Sequence, residues 1–258
     1  MLELDKIHCG DNCDLLGQLP RECIDLVVTS PPYDDLRTYG GHSWDFFGVA
    51  WQLKRVLKPG GVIVWVVADA TKDGTESCSS MAQAMHFKTL GLKLWDTMVW
   101  HKRNAMPLNQ PRYEQAWEYM FVVSKGNPNT WNPMKERSLL AGKKATGTQI
   151  NPDGTREQKW GNGATINEMK VLQNVWEFPV GTGNGEHPAV FPDDLAKRHV
   201  ATWSNPGDLV LDPFCGSGTT AKAARELGRR FLGLEINPEY CAIAERRIAQ
   251  QVLELEAV

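Results

Sequence analysis

The 258-residue sequence has no apolar run approaching the length of a membrane span, and its first residues lack a basic stretch followed by an apolar core. The expectation is a soluble, cytoplasmic protein with no membrane partner. Cysteine is sparse, and Cys9, Cys13, Cys23, Cys78, Cys215 and Cys241 never fall into C-x-x-C spacing. Neither a zinc site nor a disulfide framework is suggested, no metal is expected, and the six read as small buried hydrophobes in a reducing compartment. Positive charge is not in excess either: 28 Lys and Arg stand against 31 Asp and Glu, for a net charge of −3 and a pI near 6.1. A generally basic nucleic-acid coat is thereby excluded, and any such contact has to come from a local patch. Internal repeats and low-complexity tracts are absent.

What is present suffices for one large α/β domain with an insertion, since 42% of the residues are hydrophobic. The stretch Thr29-Ser30-Pro31-Pro32-Tyr33 follows Ile24-Asp25-Leu26-Val27-Val28, which reads as a buried strand. Two consecutive prolines fix φ near −65° and remove two backbone donors, leaving a rigid rim of carbonyl acceptors. Ser30 adds a hydroxyl and Tyr33 a flat face that can stack on a planar ligand. The group suits the gripping of an NH2 on an aromatic ring; a Pro-Pro turn that merely closes a strand is the plainer alternative.

A second motif runs Leu209-Val210-Leu211-Asp212-Pro213-Phe214-Cys215-Gly216-Ser217-Gly218-Thr219-Thr220. An apolar strand enters a glycine-rich turn and then a helix-forming run, the geometry in which a nucleoside can approach backbone. About twenty residues on, Phe231-Leu232-Gly233-Leu234-Glu235 forms a second strand ending in an acid, which in such βαβ units binds ribose hydroxyls.

The two motifs together resemble the S-adenosylmethionine-dependent DNA amino-methyltransferases. Ser30-Pro31-Pro32-Tyr33 matches their catalytic motif and Asp212-Pro213-Phe214-Cys215-Gly216-Ser217-Gly218 their cofactor motif. The catalytic motif comes first, with a recognition segment between, as in the β class. Gly10-Asp11 and His187-Pro188 also match, so the resemblance covers nearly the whole chain. It implies a Rossmann-like α/β fold, a mostly parallel sheet with helices on both faces, over residues 1–124 and 175–258. Residues 125–174 would be an inserted target-recognition segment. It also implies S-adenosylmethionine as cofactor, held by Asp11, Thr29, His187, Phe191, Asp212, Pro213, Phe214, Cys215, Gly216, Ser217, Gly218, Thr219, Glu235 and Asn237. Asp11 could instead only cap the helix starting near Asn12. His187 reads as shaping the cofactor pocket rather than as a general base, and Cys215 as a packed side chain, because carbon-5 cytosine chemistry needs a Pro-Cys pair that this chain lacks.

Around the motifs the pattern predicts a strand over residues 3–8, a helix over 44–57 stopped by Lys58-Pro59-Gly60-Gly61, and a buried strand over 61–67. Then come a helix over 79–90, a strand over 93–100, and a strand over 118–123 expected at an antiparallel edge. A strand over 174–179, a helix over about 193–203 and a last helix over 238–254 complete the set. Residues 34–43 have the composition of a mobile loop over the site, with Arg37 its one basic residue. From 125 to 170 eight basic residues face four acidic ones, an excess of +4 that leaves −7 elsewhere. Lys and Arg can hold phosphates, while Asn, Gln and Arg can read base edges. The candidate DNA contacts are Arg37, Lys102, Arg103, Lys143, Lys144, Gln149, Arg156 and Lys159.

The resemblance implies methyl transfer to an exocyclic amine of a base flipped out of double-stranded DNA. Ser30 at the first motif position favours cytosine N4, because adenine-N6 members usually carry Asp or Asn there. Adenine N6, an RNA or protein substrate, and a DNA-binding module without turnover stay open as alternatives. So do a cognate restriction endonuclease, an orphan role and a homodimer.

Overall fold

The computed structural model describes residues 2–32, 44–104, 111–145, 147–158, 163–180 and 192–255. In chain order the elements are β1 (Lys6–Cys9), α1 (Asn12–Gly17), β2 (Ile24–Thr29), α2 (Phe46–Val56), β3 (Leu57–Val67), β4 (Thr71–Lys72), β5 (Thr75–Glu76), α3 (Ser79–Thr89), β6 (Lys93–Lys102) and β7 (Trp117–Ser124). They continue with β8 (Lys135–Arg137), β9 (Thr148–Ile150), β10 (Arg156–Gln158), β11 (Met169–Val171), β12 (Val175–Phe178), α4 (Asp193–Trp203), β13 (Leu209–Asp212), α5 (Thr219–Glu226), β14 (Arg230–Glu235) and α6 (Pro238–Leu255). They fall into two compact units, Met1–Asn132 with Asn174–Val258, and Pro133–Gln173.

The first unit carries an eight-stranded sheet in the order β1-β14-β13-β2-β3-β7-β6-β12, in which β7 alone runs against the rest. Alternation along the strands sends side chains to two cores. Leu26, Val28, Val62, Val64 and Val66 pack with Leu195, Val200, Ala221, Ala224 and Ala244 of α4, α5 and α6. Val27, Ile63, Trp65 and Val67 pack on the opposite face with Leu16, Leu53, Val56 and Phe87 of α1, α2 and α3. Strands covered on both faces read as unbroken apolar runs, and β3 is buried from Gly60 to Val67.

Three expectations need correction. β7 is antiparallel but lies inside the sheet, between β3 and β6, and the edges are β1 and β12. Its burial is the reason: Met120, Val122 and Val123 are fully buried, which an edge strand could not provide. The helix does end just before Lys58-Pro59-Gly60-Gly61, but the strand expected from Gly61 already starts at Leu57, so the motif lies inside β3 instead of separating it from α2. The amide of Gly60 donates to the Lys125 carbonyl at 2.7 Å and the Lys125 amide to that of Gly61 at 3.1 Å, so Gly60 and Gly61 are held in a ladder. Of the six cysteines only Cys215 and Cys241 are buried; Cys9 and Cys78 are exposed, one at the end of an edge strand and the other at the helix cap before Ser79. All six are free.

Lys125, counted above with the basic stretch, belongs to the first unit, where its Nζ donates to the Leu57 and Lys54 carbonyls and to Glu22. The second unit consists of two antiparallel pairs, β8 with β11 and β9 with β10. Among the described residues no helix is long and apolar enough to cross a membrane.

Candidate functional site

β2, β13, β14 and β1 are neighbours that all run the same way, so Thr29, Asp212, Glu235 and Gly10-Asp11 gather at one sheet edge. The chain leaves β13 toward β14 with α5 on one face, and leaves β2 toward β3 with α2 on the other. The strand order therefore reverses between β13 and β2. In open α/β sheets ligands bind outside the carboxyl ends of the strands at such a switch point.

Two side chains bridge that gap. Thr29 Oγ1 donates to Asp212 Oδ1 at 2.6 Å, and Thr220 Oγ1 of α5 donates to the Val28 carbonyl at 3.0 Å. Asp212 also accepts from the Phe214 amide at 3.1 Å, which folds the chain back at the head of the glycine-rich turn. Burial pushes the Asp212 carboxyl up to about 6, with the Thr29 and Phe214 hydrogen bonds pulling the other way. Ser30 follows Thr29 directly and is half-buried, Pro31 is buried and Pro32 half-buried.

The turn itself is shaped by two left-handed glycines, Gly216 at φ 52° and Gly218 at φ 85°. A Cβ on Gly218 would stand 3.0 Å from the Ala244 Cβ, so α6 passes close behind the turn. Cys215 is buried, Pro213, Ser217 and Thr219 likewise, and Phe214 sets its ring edge-on to Trp44 at 4.8 Å. Glu235 closes the far side: its Oε2 accepts from the Gly216 amide at 2.8 Å and its Oε1 from the Asn237 amide at 2.9 Å. Asp11 Oδ1 accepts from the Cys13 and Asp14 amides as the N-cap of α1, and Asn237 Oδ1 accepts from the Glu239 amide at the start of α6. Both residues thus serve as helix caps beside the turn.

The remaining candidates are more dispersed. Because β7 reverses direction and β6 reverses it again, the end of β6 lies at the same edge as Ser30. There Lys102 forms a 2.6 Å ion pair with Glu118, with 19% and 8% of the side chains exposed, so Lys102 is committed to the interior. Arg103 and His101 share the exposed Glu177, each at 3.3 Å. In the second unit Lys143, Lys144 and Arg156 are exposed and Gln149 is half-buried on β9. Lys144 Nζ donates to Thr165 Oγ1 at 3.1 Å. Tyr33, Arg37, Lys159, His187 and Phe191 lie outside the described residues.

Sequence reading missed Arg247, Lys222, Asp193 and Trp44. Arg247 on α6 donates to both the carbonyl and hydroxyl of Ser217 and to Asp193, whose other oxygen accepts from Lys222. No local spacing marks the first three, because they meet only through α4, α5 and α6, and Trp44 meets Phe214 only across the fold. Among the described residues no group of His, Cys, Asp and Glu is placed to hold a metal ion.

Comparison with known proteins matches residues 24–246 to a family described as DNA methylase, with N4 and N6 amino specificities in its name. The orphan methyltransferase M.BamHII of Bacillus amyloliquefaciens is 45% identical over 240 residues, covering 89% of this chain and 90% of its own. Among solved structures, the cytosine-N4-specific PvuII DNA methyltransferase superposes with a TM-score of 0.67 at 22% identity, over 93% of this chain and 85% of its own. A protein of Thermus thermophilus described as a DNA modification methylase, solved with S-adenosyl-L-methionine, gives 0.65 at 27% identity over 96% and 95%. The sheet described above is accordingly the Rossmann-like methyltransferase fold that the motifs imply.

Proposed function

Because this chain belongs to the DNA methylase family, whose pattern spans residues 24–246, we propose that it transfers a methyl group from S-adenosylmethionine to the N4 amine of a cytosine flipped out of duplex DNA. The Thr29–Asp212 hydrogen bond carries the reading, since it joins the strand that ends in Ser30-Pro31-Pro32 to the strand that opens the glycine-rich turn.

The turn fits the cofactor. Close approach of a ligand to backbone needs side chains out of the way, and Gly216 and Gly218 supply that in conformations other residues adopt at a cost. Asp212, Phe214, Gly216, Ser217, Gly218, Thr219 and Glu235 would hold the cofactor, with Asp11, Thr29 and Asn237 beside them. When bound, S-adenosylmethionine supplies a sulfonium methyl open to direct displacement.

The chain's own part is to make a poor nucleophile reactive. An exocyclic amine has its lone pair delocalised into the ring, and acceptors for its two hydrogens favour a pyramidal nitrogen. Ser30 Oγ and the Pro31 carbonyl take those hydrogens, and Tyr33 stacks on the ring, repaying part of the few kcal/mol that base extrusion costs. Positioning does most of the rest. No strong base is required, because methylation itself makes the nitrogen acidic. Ser30, an uncharged acceptor where adenine-N6 relatives usually carry Asp or Asn, supports cytosine over adenine. The second unit, Pro133–Gln173, reads the target, with Lys143, Lys144 and Arg156 on phosphates and Gln149 at base edges. The protein works as an orphan methylase or beside a cognate restriction endonuclease, and a homodimer would appear as a doubled mass in solution.

Incubating the protein with labelled S-adenosylmethionine and mixed-sequence duplex DNA or RNA, then digesting to nucleosides for mass spectrometry, tests this. N4-methylcytosine in DNA is expected. N6-methyladenine would overturn the base assignment, and label only in RNA, or cofactor binding with no methylated nucleoside, would overturn the DNA reaction.

A further inference from the structure

The cofactor turn is held from behind by a residue that no motif contains. Arg247 reaches from α6 so that its Nη1 donates to the Ser217 carbonyl at 2.8 Å and to Ser217 Oγ at 2.7 Å, with Thr219 Oγ1 at 3.5 Å. Its Nη2 donates to Asp193 Oδ1 at 3.2 Å, and Lys222 of α5 donates to Asp193 Oδ2 at 2.7 Å. The four residues tie three helices and the turn together, and all are shielded: side-chain exposure is 27% for Arg247, 33% for Asp193 and 21% for Lys222, while Ser217 is buried.

The placement runs against the electrostatics of the helix. Ser217 lies two residues before the first residue of α5, next to its N-cap Gly218, where the helix dipole disfavours a cation. Arg247 sits there because Asp193, shared with Lys222, offsets part of the positive charge and two Ser217 oxygens accept from Arg247. Between Gly216 and Gly218, both left-handed, Ser217 is the residue that lacks glycine's conformational freedom. Clamping its carbonyl and hydroxyl fixes the path of the backbone on either side, and the amide of Gly216 is already fixed from the front by Glu235. Asp193 is moreover the second residue after 181–191, the stretch that contains His187 and Phe191.

We propose that Arg247 is a positioning residue for S-adenosylmethionine. It holds the glycine-rich turn in its binding conformation and couples it, through Asp193, to the start of α4. This rests on the cofactor reading of the turn given above. Arg247 does not touch the cofactor; without its clamp the turn must be ordered on binding, so affinity falls while the chemical step is spared.

The test measures cofactor affinity by calorimetry, and kcat and KM for DNA at saturating cofactor, in wild type, Arg247→Met, Arg247→Lys and Asp193→Asn, with a melting curve of each cofactor-free protein. Arg247→Met is expected to weaken S-adenosylmethionine binding about tenfold, equivalent to one charge-assisted hydrogen bond, with kcat and the KM for DNA unchanged. Arg247→Lys, which keeps the charge but not the fork, recovers part of the loss, and Asp193→Asn falls between. An unchanged affinity in Arg247→Met, with or without a lowered melting temperature, overturns the proposal, as does a fall in kcat at saturating cofactor. Wild-type protein that binds no S-adenosylmethionine would instead sink the reading of the turn itself. Should Arg247→Met fail to fold, Arg247→Lys and Asp193→Asn carry the same comparison.

Discussion

Thr29 and Asp212 stand 183 residues apart in sequence, yet Thr29 Oγ1 donates to Asp212 Oδ1 at 2.6 Å across adjoining strand ends. The acceptor is buried, and burial raises its carboxyl from 3.8 to about 6. In the folded protein Asp212 therefore binds a proton between those values when the unfolded chain does not, so its contribution to stability declines as pH rises through that window. Thr29→Val keeps shape and removes the donor. It should cost about 1–3 kcal/mol and more at pH 7.5, where Asp212 is ionised, than at pH 5. Melting temperatures of both proteins at the two pH values check it; an equal loss at both would contradict the assignment.

His199 gives the opposite sign. Its ring is buried against Trp176 at 4.7 Å, Nε2 lies 3.3 Å from Met120 Sδ, and Nδ1 has no hydrogen-bond partner among the described residues. Desolvation lowers it from 6.5 to about 3. Below pH 6.5 the unfolded chain takes up a proton that the folded one refuses, so stability is lost as pH falls, at up to about 1.4 kcal/mol per pH unit until the folded value is reached. His199→Leu removes that term. Relative to wild type the variant should gain stability steadily from pH 6.5 to 4.5 in denaturant titrations, because contributions of groups such as Asp212 cancel in the difference.

Gly218→Ala should strike the turn alone. Its φ of 85° is strained for any other residue, and the added Cβ meets Ala244 at 3.0 Å. A loss of about 1–2 kcal/mol in stability is expected with a loss of cofactor binding, while DNA binding without cofactor, measured by gel shift, stays as in wild type.

For the second unit the prediction concerns salt. Each phosphate contact removed lowers the slope of log K against log salt by about 0.9. Lys143→Ala, Lys144→Ala and Arg156→Ala should each flatten that slope in fluorescence anisotropy, whereas Lys102→Ala, whose partner is the buried Glu118, should lower the melting temperature instead.

How far the chain was legible depended on the range of the forces involved. α4 runs over the 193–203 expected of it, and β2, β13, β14 and α6 fall within a residue or two, because each is a local periodicity ended by a cap, a proline or a glycine. β7 was misplaced because strand order is a long-range property, although the unbroken apolar run Met120 to Val123 was a usable sign of a central strand. Lys58-Pro59-Gly60-Gly61 carries turn chemistry, and the distant Lys125 and Asn129 hold it in the extended form. The gathering of the motif residues at neighbouring strand ends could be read from sequence, while the contacts of Arg247, Asp193 and Lys222 could not, since side chains meeting from three helices leave no common spacing.

If Ser30 prepares a cytosine amine for methyl transfer, as proposed above, its loss must slow transfer without weakening cofactor binding. Single-turnover methylation of duplex DNA by wild type and Ser30→Ala, with the methylated nucleoside identified and cofactor affinity measured alongside, tests it most directly. N4-methylcytosine is expected from wild type, and about 100-fold slower transfer by Ser30→Ala at unchanged affinity for S-adenosylmethionine. N6-methyladenine as the product, or transfer by Ser30→Ala at the wild-type rate, would contradict it.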